Sequence, residues 1–427
     1  MLQHCLPQRI RRTLNELPES LDESFARILR EIRLTNRDPL AHRLLQCLCV
    51  AARPLRVEEL TDILALDFDG ADGTTPTLID DRRSDDPQGE VLFLCSSLIM
   101  IVDTDDTGHS SVVQFSHLSV KEFLTSDRLA SASGDISRFH IAPESAHTTL
   151  AQACLATLLR LDGSSNNDQI ERNFPLARYA SQQWVEHAQL GMVSSQIEDG
   201  MRRLFDPTRP YFAMWLRFHN IDDHWNQFGN SWVAHGSPLY YASLCGFHDL
   251  ATHIINDYPE QANATGGRRH SPLAAALYKE HFDVAELLLK HGASVNVTDY
   301  DNQTLLQAAS VDGRIDAVRW LLDHQADTNS QRDDLGTPIH LASVNGHPDV
   351  IQTLLEYGVN IDSEDKDGRT PLHLASSKGK AEIVRLLLDR DANPNAMDKN
   401  GWTPLSLTWT PEVARLLLDH GAIPDEE

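Results

Sequence analysis

No run of eighteen apolar residues occurs in the 427-residue chain, which excludes a helix able to span a bilayer. The first residues also lack the apolar core of a secretory signal, so the expected location is the cytoplasm, with the nucleus as the alternative. Positive charge is scarce. Lys and Arg number 37 against 62 Asp and Glu, giving a net charge of −25 and a pI near 5.1. That balance argues against nucleic acid or a phospholipid surface as the main partner, and the short basic run Gln8-Arg9-Ile10-Arg11-Arg12 reads as a solvated face. Cysteine is sparse: Cys5, Cys47, Cys49, Cys95, Cys154 and Cys245 stand apart, mostly among apolar neighbours. Buried reduced thiols are expected. Cys47-Leu48-Cys49 has the wrong spacing for a zinc knuckle, and no second pair answers it. A glycine-rich loop ending in Gly-Lys-Ser/Thr is missing. The nearest string, Lys378-Gly379-Lys380-Ala381, has no hydroxyl after its lysine. The length predicts two or three domains.

What is present is a repetition. Thr337-Pro338-Ile339-His340-Leu341-Ala342 returns 33 residues later as Thr370-Pro371-Leu372-His373-Leu374-Ala375, and again, weakened, as Thr403-Pro404-Leu405-Ser406-Leu407. Thr304-Leu305-Leu306-Gln307-Ala308-Ala309, Ser271-Pro272-Leu273-Ala274-Ala275-Ala276 and Ser237-Pro238-Leu239-Tyr240-Tyr241-Ala242 keep the register backwards, the last at a step of 34. A repeat of this length and phrase resembles the ankyrin repeat. In the unit from Asp365 to Asn395, Asp365-Lys366-Asp367-Gly368 is a turn. Thr370 caps a short helix with Pro371 at its first position, and Gly379 ends it. Ile383, Val384, Leu386, Leu387 and Leu388 are expected to be buried on a second helix. Matching clusters recur at Val284-Leu287-Leu288-Leu289, Val318-Trp320-Leu321-Leu322, Val350-Ile351-Leu354-Leu355 and Val413-Leu416-Leu417-Leu418. No such unit can cover its own apolar flank, so the units must stack, with turns along one edge and short helices lining a concave face. The sixth is short: three residues are absent between Leu407 and Pro411, and Thr410-Pro411 restarts its second helix. The chain stops at Asp425-Glu426-Glu427 without a full polar capping unit, so this helix closes the stack imperfectly or further repeats once followed. The first unit has Tyr258-Pro259-Glu260 in place of the usual turn.

The first 235 residues do not repeat. Phe25, Ile28, Leu29 and Ile32 mark one helical stripe, Leu44, Leu45, Leu48 and Val50 a second, and Val57 to Leu64 a third. Asp67 to Glu90 is polar and reads as a loop with weak helical content. Leu92 to Leu98 is expected to be helical, Ile99 to Val102 a strand, and Ser111 to Phe115 its return. Helices followed by a hairpin are the order of a winged helix. A further helix starts near Ser116 or Ser119, the latter with Glu122 at capping-box spacing. Others cover His147 to Leu161 and the stretch from Phe174 to Trp184, with a Ser/Asn-rich break at Gly163 to Asp168 between them.

Five phrases in this half, LPESLDESFARIL (from Leu17), RPLRVEEL (from Arg53), VVQFSHLSVKEFLTS (from Val112), AHTTLAQACLATLL (from Ala146) and FPLARYASQQWVEHA (from Phe174), are similar in order and content to the region after the nucleotidase module of fungal NACHT–ankyrin proteins. The resemblance implies a winged-helix module of a kind also seen beside GPI-inositol-deacylase-like sequences, and kinship with signal-transducing NTPases that switch between closed and oligomeric forms. It also implies a missing motor: the chain reads as a short relative, or a truncated gene model. The expected organisation is a helical remnant following a NACHT module over residues 1–45, a winged-helix-like domain over 46–130, a helical linker domain over 131–235 and about six ankyrin repeats over 236–427. The fold class is mainly α, a winged-helix-like and helical N-terminal half followed by an ankyrin solenoid.

Other chemistry has bland readings. His340 and His373 are expected to make a structural hydrogen bond across the turn. His117 and His147 each begin a helix, where capping and packing are expected. Asp67-Phe68-Asp69-Gly70 to Gly73 has scattered carboxylates but lacks the bidentate Glu of a calcium loop. Ser96 and Ser97 lack a Gly-x-Ser-x-Gly elbow. Trp215, Trp225 and Trp232 lie in an aromatic-rich bridge expected to pack against the first repeat. No cofactor, metal, catalytic residue or small-molecule substrate is predicted. The leading reading is a non-enzymatic scaffold holding a protein partner through Tyr300, Asp301, Gln303, Asp312, Asp333, Asp334, Asn345, Lys366, Arg369, Ser377, Lys378 and Trp402. The acidic tips Asp301, Asp333 and Asp334 predict basic character in that partner. The alternatives are the regulatory part of a STAND signalling NTPase, its nucleotide module missing or supplied in trans, and a winged-helix DNA reader. The reader's recognition helix, Val57 to Leu64, carries Glu58, Glu59 and Asp62 and would repel phosphate.

Overall fold

The structure is a computed structural model that describes residues 21–34, 38–68, 75–79, 82–83, 85–103, 111–132, 136–161, 166–219, 221–222, 236–331 and 336–424. Its contacts divide the chain into two units, Met1–His224 and Trp225–Glu427.

In the first unit, α1 (Leu21–Leu34) and α2 (Asp38–Val50) lead through β1 (Leu55–Arg56) into α3 (Val57–Leu64). The turn before α3 is built by one carboxylate. Glu59 is fully buried and accepts from both guanidinium nitrogens of Arg53 at 2.9 and 2.7 Å, from the Arg56 backbone N–H at 2.8 Å and from Arg56 Nε at 3.1 Å. Such charge-assisted bonds close the helix start that the phrase RPLRVEEL encodes. A two-residue ladder follows, β2 (Leu66–Asp67) against β3 (Thr77–Leu78). Then α4 (Pro87–Cys95) opens with Asp86 Oδ1 accepting from the Gly89 N–H at 3.0 Å. The polar stretch read as a loop thus holds strand pairing at its start and the first turn of a helix at its end. β4 (Ile99–Asp103) and β5 (Ser111–Phe115) form the hairpin, and β1 adds to β5, giving an antiparallel sheet in the order β1-β5-β4. Because α4 directly precedes the hairpin, it is the second helix of the helix–turn–helix. The expected recognition helix, α3, is the buried one: Val57, Glu59, Leu60, Ile63 and Leu64 all face inward.

α5 (Leu118–Leu124) is capped by neither serine. His117 takes that place, with its Nδ1 accepting from the Ser119 N–H at 3.2 Å, while Ser116 Oγ donates to the Leu98 carbonyl. After α6 (Asp127–Ala130), the long α7 (Pro143–Leu158) begins four residues before His147, which therefore lies in its second turn. α8 (Asn167–Asn173), α9 (Ala177–Ala188), α10 (Val193–Gln196), α11 (Glu198–Phe205) and α12 (Tyr211–Phe218) complete the unit. α7 packs on α2 and on α9, so the winged-helix elements and the following helices share a core. Trp215 is buried there against Trp184, Phe205 and Phe212, and its indole N–H donates to the Ser181 carbonyl at 3.0 Å. It belongs to this core; Trp225 and Trp232 lie outside the described residues.

The described residues of the second unit form six helix pairs: α13 (Pro238–Cys245) with α14 (His248–Asp257), α15 (Pro272–Tyr278) with α16 (Phe282–Lys290), α17 (Leu305–Asp312) with α18 (Ile315–Asp323), α19 (Pro338–Asn345) with α20 (Pro348–Glu356), α21 (Pro371–Ser377) with α22 (Ala381–Leu388), and α23 (Pro404–Leu407) with α24 (Pro411–Asp419). Every inner helix starts at the Ser or Thr that the register foretells. The outer helices bury fewer leucines than expected. In α22, Ile383, Val384, Leu387 and Leu388 are buried but Leu386 is only half so; Trp320, Leu287, Leu289, Leu355 and Leu416 are likewise half-buried, and Leu418 is exposed. At 100° per residue, three consecutive leucines cannot all face one stripe. In the first repeat a 3-10 turn, Pro259–Asn263, follows α14.

One contact ties the repeats in series. The third residue of an inner helix reaches a backbone group 29 residues on, in the turn of the next repeat. His340 Nε2–H donates to the Arg369 carbonyl at 2.9 Å, and His373 Nε2–H to that of Trp402 at 3.1 Å. Their Nδ1 atoms accept from the N–H groups of Thr337 and Thr370 at 3.2 and 3.0 Å. Gln307 does the same work with an amide, accepting from the Thr304 N–H at 2.9 Å and donating to the Gly336 carbonyl at 3.2 Å. Tyr240 Oη accepts from the Arg269 N–H at 3.1 Å. The histidine bond expected across a turn thus spans two repeats. Replacing His340 by Ala leaves a buried N–H and carbonyl unbonded at about 1–3 kcal/mol, whereas His340→Gln is expected to retain most of the stability, as Gln307 does. Denaturant midpoints of the two variants check this, and equal losses would refute the bond as the cause.

The first unit holds a pH-sensitive histidine. His187 Nε2 lies 2.8 Å from Tyr179 Oη and its Nδ1 lies 2.8 Å from His147 Nδ1. Tyr179 Oη also accepts from the Ala52 N–H at 3.2 Å. Burial, and then the neighbouring His147, push His187 down to about 4. The unfolded chain therefore takes up this proton first, so the contribution is complete above about pH 6.5 and is lost as pH falls toward 4. At pH 5 the loss is about 2 kcal/mol. Denaturant unfolding of the full chain between pH 7 and 5 is expected to show this decline and His187→Gln to flatten it; an equally steep decline in the variant would place the acid sensitivity elsewhere.

Candidate interaction surface

Three of the repeat turns are each organised by an aspartate. Asp365 Oδ1 accepts from the N–H groups of Asp367 and Arg369 at 2.9 and 2.8 Å, Asp398 Oδ1 from those of Asn400 and Trp402 at 2.8 and 2.9 Å, and Asp299 Oδ1 from those of Asp301 and Gln303, both at 2.9 Å. A carboxylate that accepts two backbone N–H bonds favours its charged form. At Asp398 burial pushes the carboxyl up, but the bonds from Trp402 and Asn400 outweigh it and hold it below the usual carboxylate range. These aspartates belong to the fold, and the residues beside them are displayed.

The expected contact residues therefore separate. Tyr300 (56% exposed) and Trp402 (51%) stand out at the turns, Tyr300 edge-on to His270 with the ring centroids 4.4 Å apart. Asp301, Lys366 and Lys378 are exposed. Asn345 is exposed, but its amide donates to the Leu341 carbonyl at 2.9 Å. Asp312 is exposed and lies 3.6 Å from Arg269. Arg369 is half-buried: its Nε donates to Asp365 at 2.8 Å, its second nitrogen lies 3.1 Å from Asp367, and its carbonyl receives His340. Ser377 is half-buried, donates to the Leu374 carbonyl and accepts the indole N–H of Trp409. Gln303 is half-buried and lines a cavity between the second and third repeats. Asp333 and Asp334 lie outside the described residues. Sequence reasoning missed the group formed by Arg269, Tyr278 and Arg314. The signal was available, because Ala274 stands where the other phrases carry Tyr, Gln, His or Ser.

The five described cysteines, Cys47, Cys49, Cys95, Cys154 and Cys245, are free and buried. Burial pushes Cys47, Cys49 and Cys95 up to about 12, far from a reactive thiolate. Among the described residues no three His, Cys, Asp or Glu side chains gather as a metal site, and no helix is long and apolar enough to cross a membrane. Cys5 and Asp69 to Gly73 lie outside the described residues.

Comparison with known proteins agrees with this architecture. Residues 239–333, 298–365 and 339–427 match the ankyrin-repeat family in three copies, and residues 30–134 match the winged-helix domain of GPI inositol-deacylase. The azaphilone pigments biosynthesis cluster protein L of Monascus ruber is 33% identical over 301 residues, which is 66% of this chain and 61% of that protein, so the chain spans less than two thirds of this curated relative. Among solved structures, an ankyrin repeat domain from Acinetobacter baumannii is 32% identical and covers 44% of this chain and 98% of its own, with a TM-score of 0.39. The human ASB11 ankyrin repeat domain is 25% identical, covering 44% and 85%, also with a TM-score of 0.39. The chain carries a winged-helix domain of the GPI inositol-deacylase type followed by ankyrin repeats.

Proposed function

We propose that this chain is a non-catalytic scaffold that holds a protein partner against the inner helices and turn tips of its ankyrin repeats, in signalling or regulation. The observation that carries this reading is the division of labour within the turns. Asp299, Asp365 and Asp398 are spent on the backbone, while Tyr300, Lys366, Lys378 and Trp402 are held outward on a rigid support. Exposed aromatic side chains on rigid turns are favourable anchors, because little conformational freedom remains to be lost on binding. The non-catalytic part rests on the two conspicuous histidines. Both ring nitrogens of His340 and of His373 are engaged, and burial lowers both below the usual histidine range. Neither has a nitrogen left to take a substrate proton.

A second reading, the regulatory part of a STAND-type signalling NTPase without its own nucleotide module, draws on the way the family-like phrases interlock. Phe25 of the first packs on Phe123 of the third at 5.6 Å, Arg53 of the second lies over the Tyr179 ring of the fifth at 4.9 Å, and His147 of the fourth meets His187 of the fifth. Both readings disfavour DNA. The helix before the wing, α4, carries no Lys or Arg and exposes Leu92 and Phe93.

A photo-crosslinking residue placed at Tyr300 or Trp402 is expected to capture a protein partner, and the same residue at Glu382 or Arg385 on an outer helix is not. For the captured partner, Trp402→Ala is expected to weaken binding about tenfold. Capture from the outer helices alone would overturn the assignment of the face. Labelled ATP titrated into the full chain is expected to show no binding; saturable binding would mean a nucleotide site within this chain and would refute the second reading as stated.

A further inference from the structure

The stack has one step without its tie. At the position of Tyr240, Gln307, His340 and His373 the second repeat carries Ala274, which is half-buried while the other four are fully buried. No side chain there can reach the turn of the third repeat. Inner helices α15 and α17 approach each other more sparsely than any other neighbouring inner pair, and the outer helices α16 and α18 do likewise. The space left is a cavity of about 130 Å³ bordered by Ala274, Leu277, Gln303 and Leu305. An apolar cavity of about 150 Å³ holds a benzene ring.

The polar wall of this cavity is rich in donors. Arg269 and Arg314 lie over the Tyr278 ring, at 3.3 and 4.3 Å from its centroid. Partial burial pushes the Tyr278 phenol up, but Arg269, Arg314 and Lys279 outweigh this and hold it below the usual tyrosine range. Each arginine has one acid on a single terminal nitrogen, Asp312 at 3.6 Å from Arg269 Nη1 and Glu280 at 3.3 Å from Arg314 Nη1, while Asp299 is engaged in its own turn. Arg314 Nε is buried with no hydrogen-bond partner among the described residues. Glu280 itself holds a left-handed φ of 61°, where the other repeats place Gly246, Gly313, Gly346 and Gly379.

We propose that the cavity at Ala274 is a binding site for a carboxylate carried on a small apolar body, with the ring or branched chain resting where the missing side chain would lie and the carboxylate facing Arg269 and Arg314. A planar guanidinium matches a carboxylate with two parallel bonds. The site lies between repeats, and its occupancy does not depend on the partner reading above. A free small acid and the carboxyl terminus of a polypeptide ending in an aromatic residue share this chemistry.

The test is calorimetric titration of the full chain with 3-phenylpropanoate, with 3-phenylpropanamide as the uncharged control. The acid is expected to bind at least tenfold more tightly than the amide. Arg314→Gln is expected to weaken the acid at least tenfold. Ala274→Gln fills the cavity with the group Gln307 uses, so it is expected to abolish binding while raising the Tm. Absence of binding by the acid, equal binding of acid and amide, or undiminished binding in either variant would overturn the proposal. Should Ala274→Gln fold poorly, Arg314→Gln alone decides. A tetrapeptide ending in Phe, compared with its C-terminal amide, separates the sources: preference for the free-acid peptide over 3-phenylpropanoate assigns a polypeptide end, and the reverse order a small acid.

Discussion

Stacked repeats have no long-range core, so each interface must be specified locally, and at four of the five steps a side-chain bond from one inner helix to the next turn does so. Apolar faces alone would let neighbouring helix pairs slide, because burial is non-directional. A hydrogen bond to a named carbonyl is directional and fixes the register. His340 and His373 each close their own helix start with one nitrogen and bind the next repeat with the other. That double use explains why Thr-Pro-x-His is kept together as a phrase: the threonine begins the helix, the proline gives up an N–H that had no partner, and the histidine ties the N–H of the threonine to the repeat beyond.

Much of this was legible because it is local. Register, helix starts and the shortened sixth repeat follow from six-residue phrases at fixed spacing. What was not legible depends on direction. Arg369 looks like an exposed cation beside a turn, yet the acids that neutralise it, Asp365 and Asp367, stand four and two residues away in the same turn. Leu386 and Leu418 look like core in a run of leucines, yet helical geometry turns them aside. Ala274 visibly breaks the phrase, but only the sparse approach of α15 and α17 shows the cavity that it leaves.

The first half follows a different logic. It has no repeat, and long-range contacts between its phrases carry the fold. Helical stripes and a hairpin could be read from periodicity, so the winged-helix order was visible. The burial of α3 was not, since Glu58, Glu59 and Asp62 give it an acidic sequence. Glu59 is buried because two arginines and a backbone N–H satisfy it completely, which removes the penalty that otherwise keeps a carboxylate at the surface. Arg53, held by Glu59, covers Tyr179, and Tyr179 in turn holds His187. A chain of polar contacts therefore runs from the winged helix into α9, through residues that composition alone would place in solvent.

In a solenoid the free energy is close to a sum of repeat and interface terms, so a weak interface does not average away. The step between the second and third repeats lacks the side-chain tie and has the sparsest helix approach of the stack. Repeats three to six are joined by Gln307, His340 and His373, and repeats one and two by Tyr240. At this step side-chain links remain at the outer helices, where the Trp320 indole N–H and the His324 ring meet Glu286, while the apolar wall and the arginine pair line the space left at Ala274. A carboxylate seated against Arg269 and Arg314, with its apolar body against Ala274, would bridge the two blocks and stabilise the closed stack in proportion to its binding. The position of the defect matters more than its size. At either end of the stack a missing tie would only fray one repeat, whereas here it lies at the junction of two otherwise continuous series.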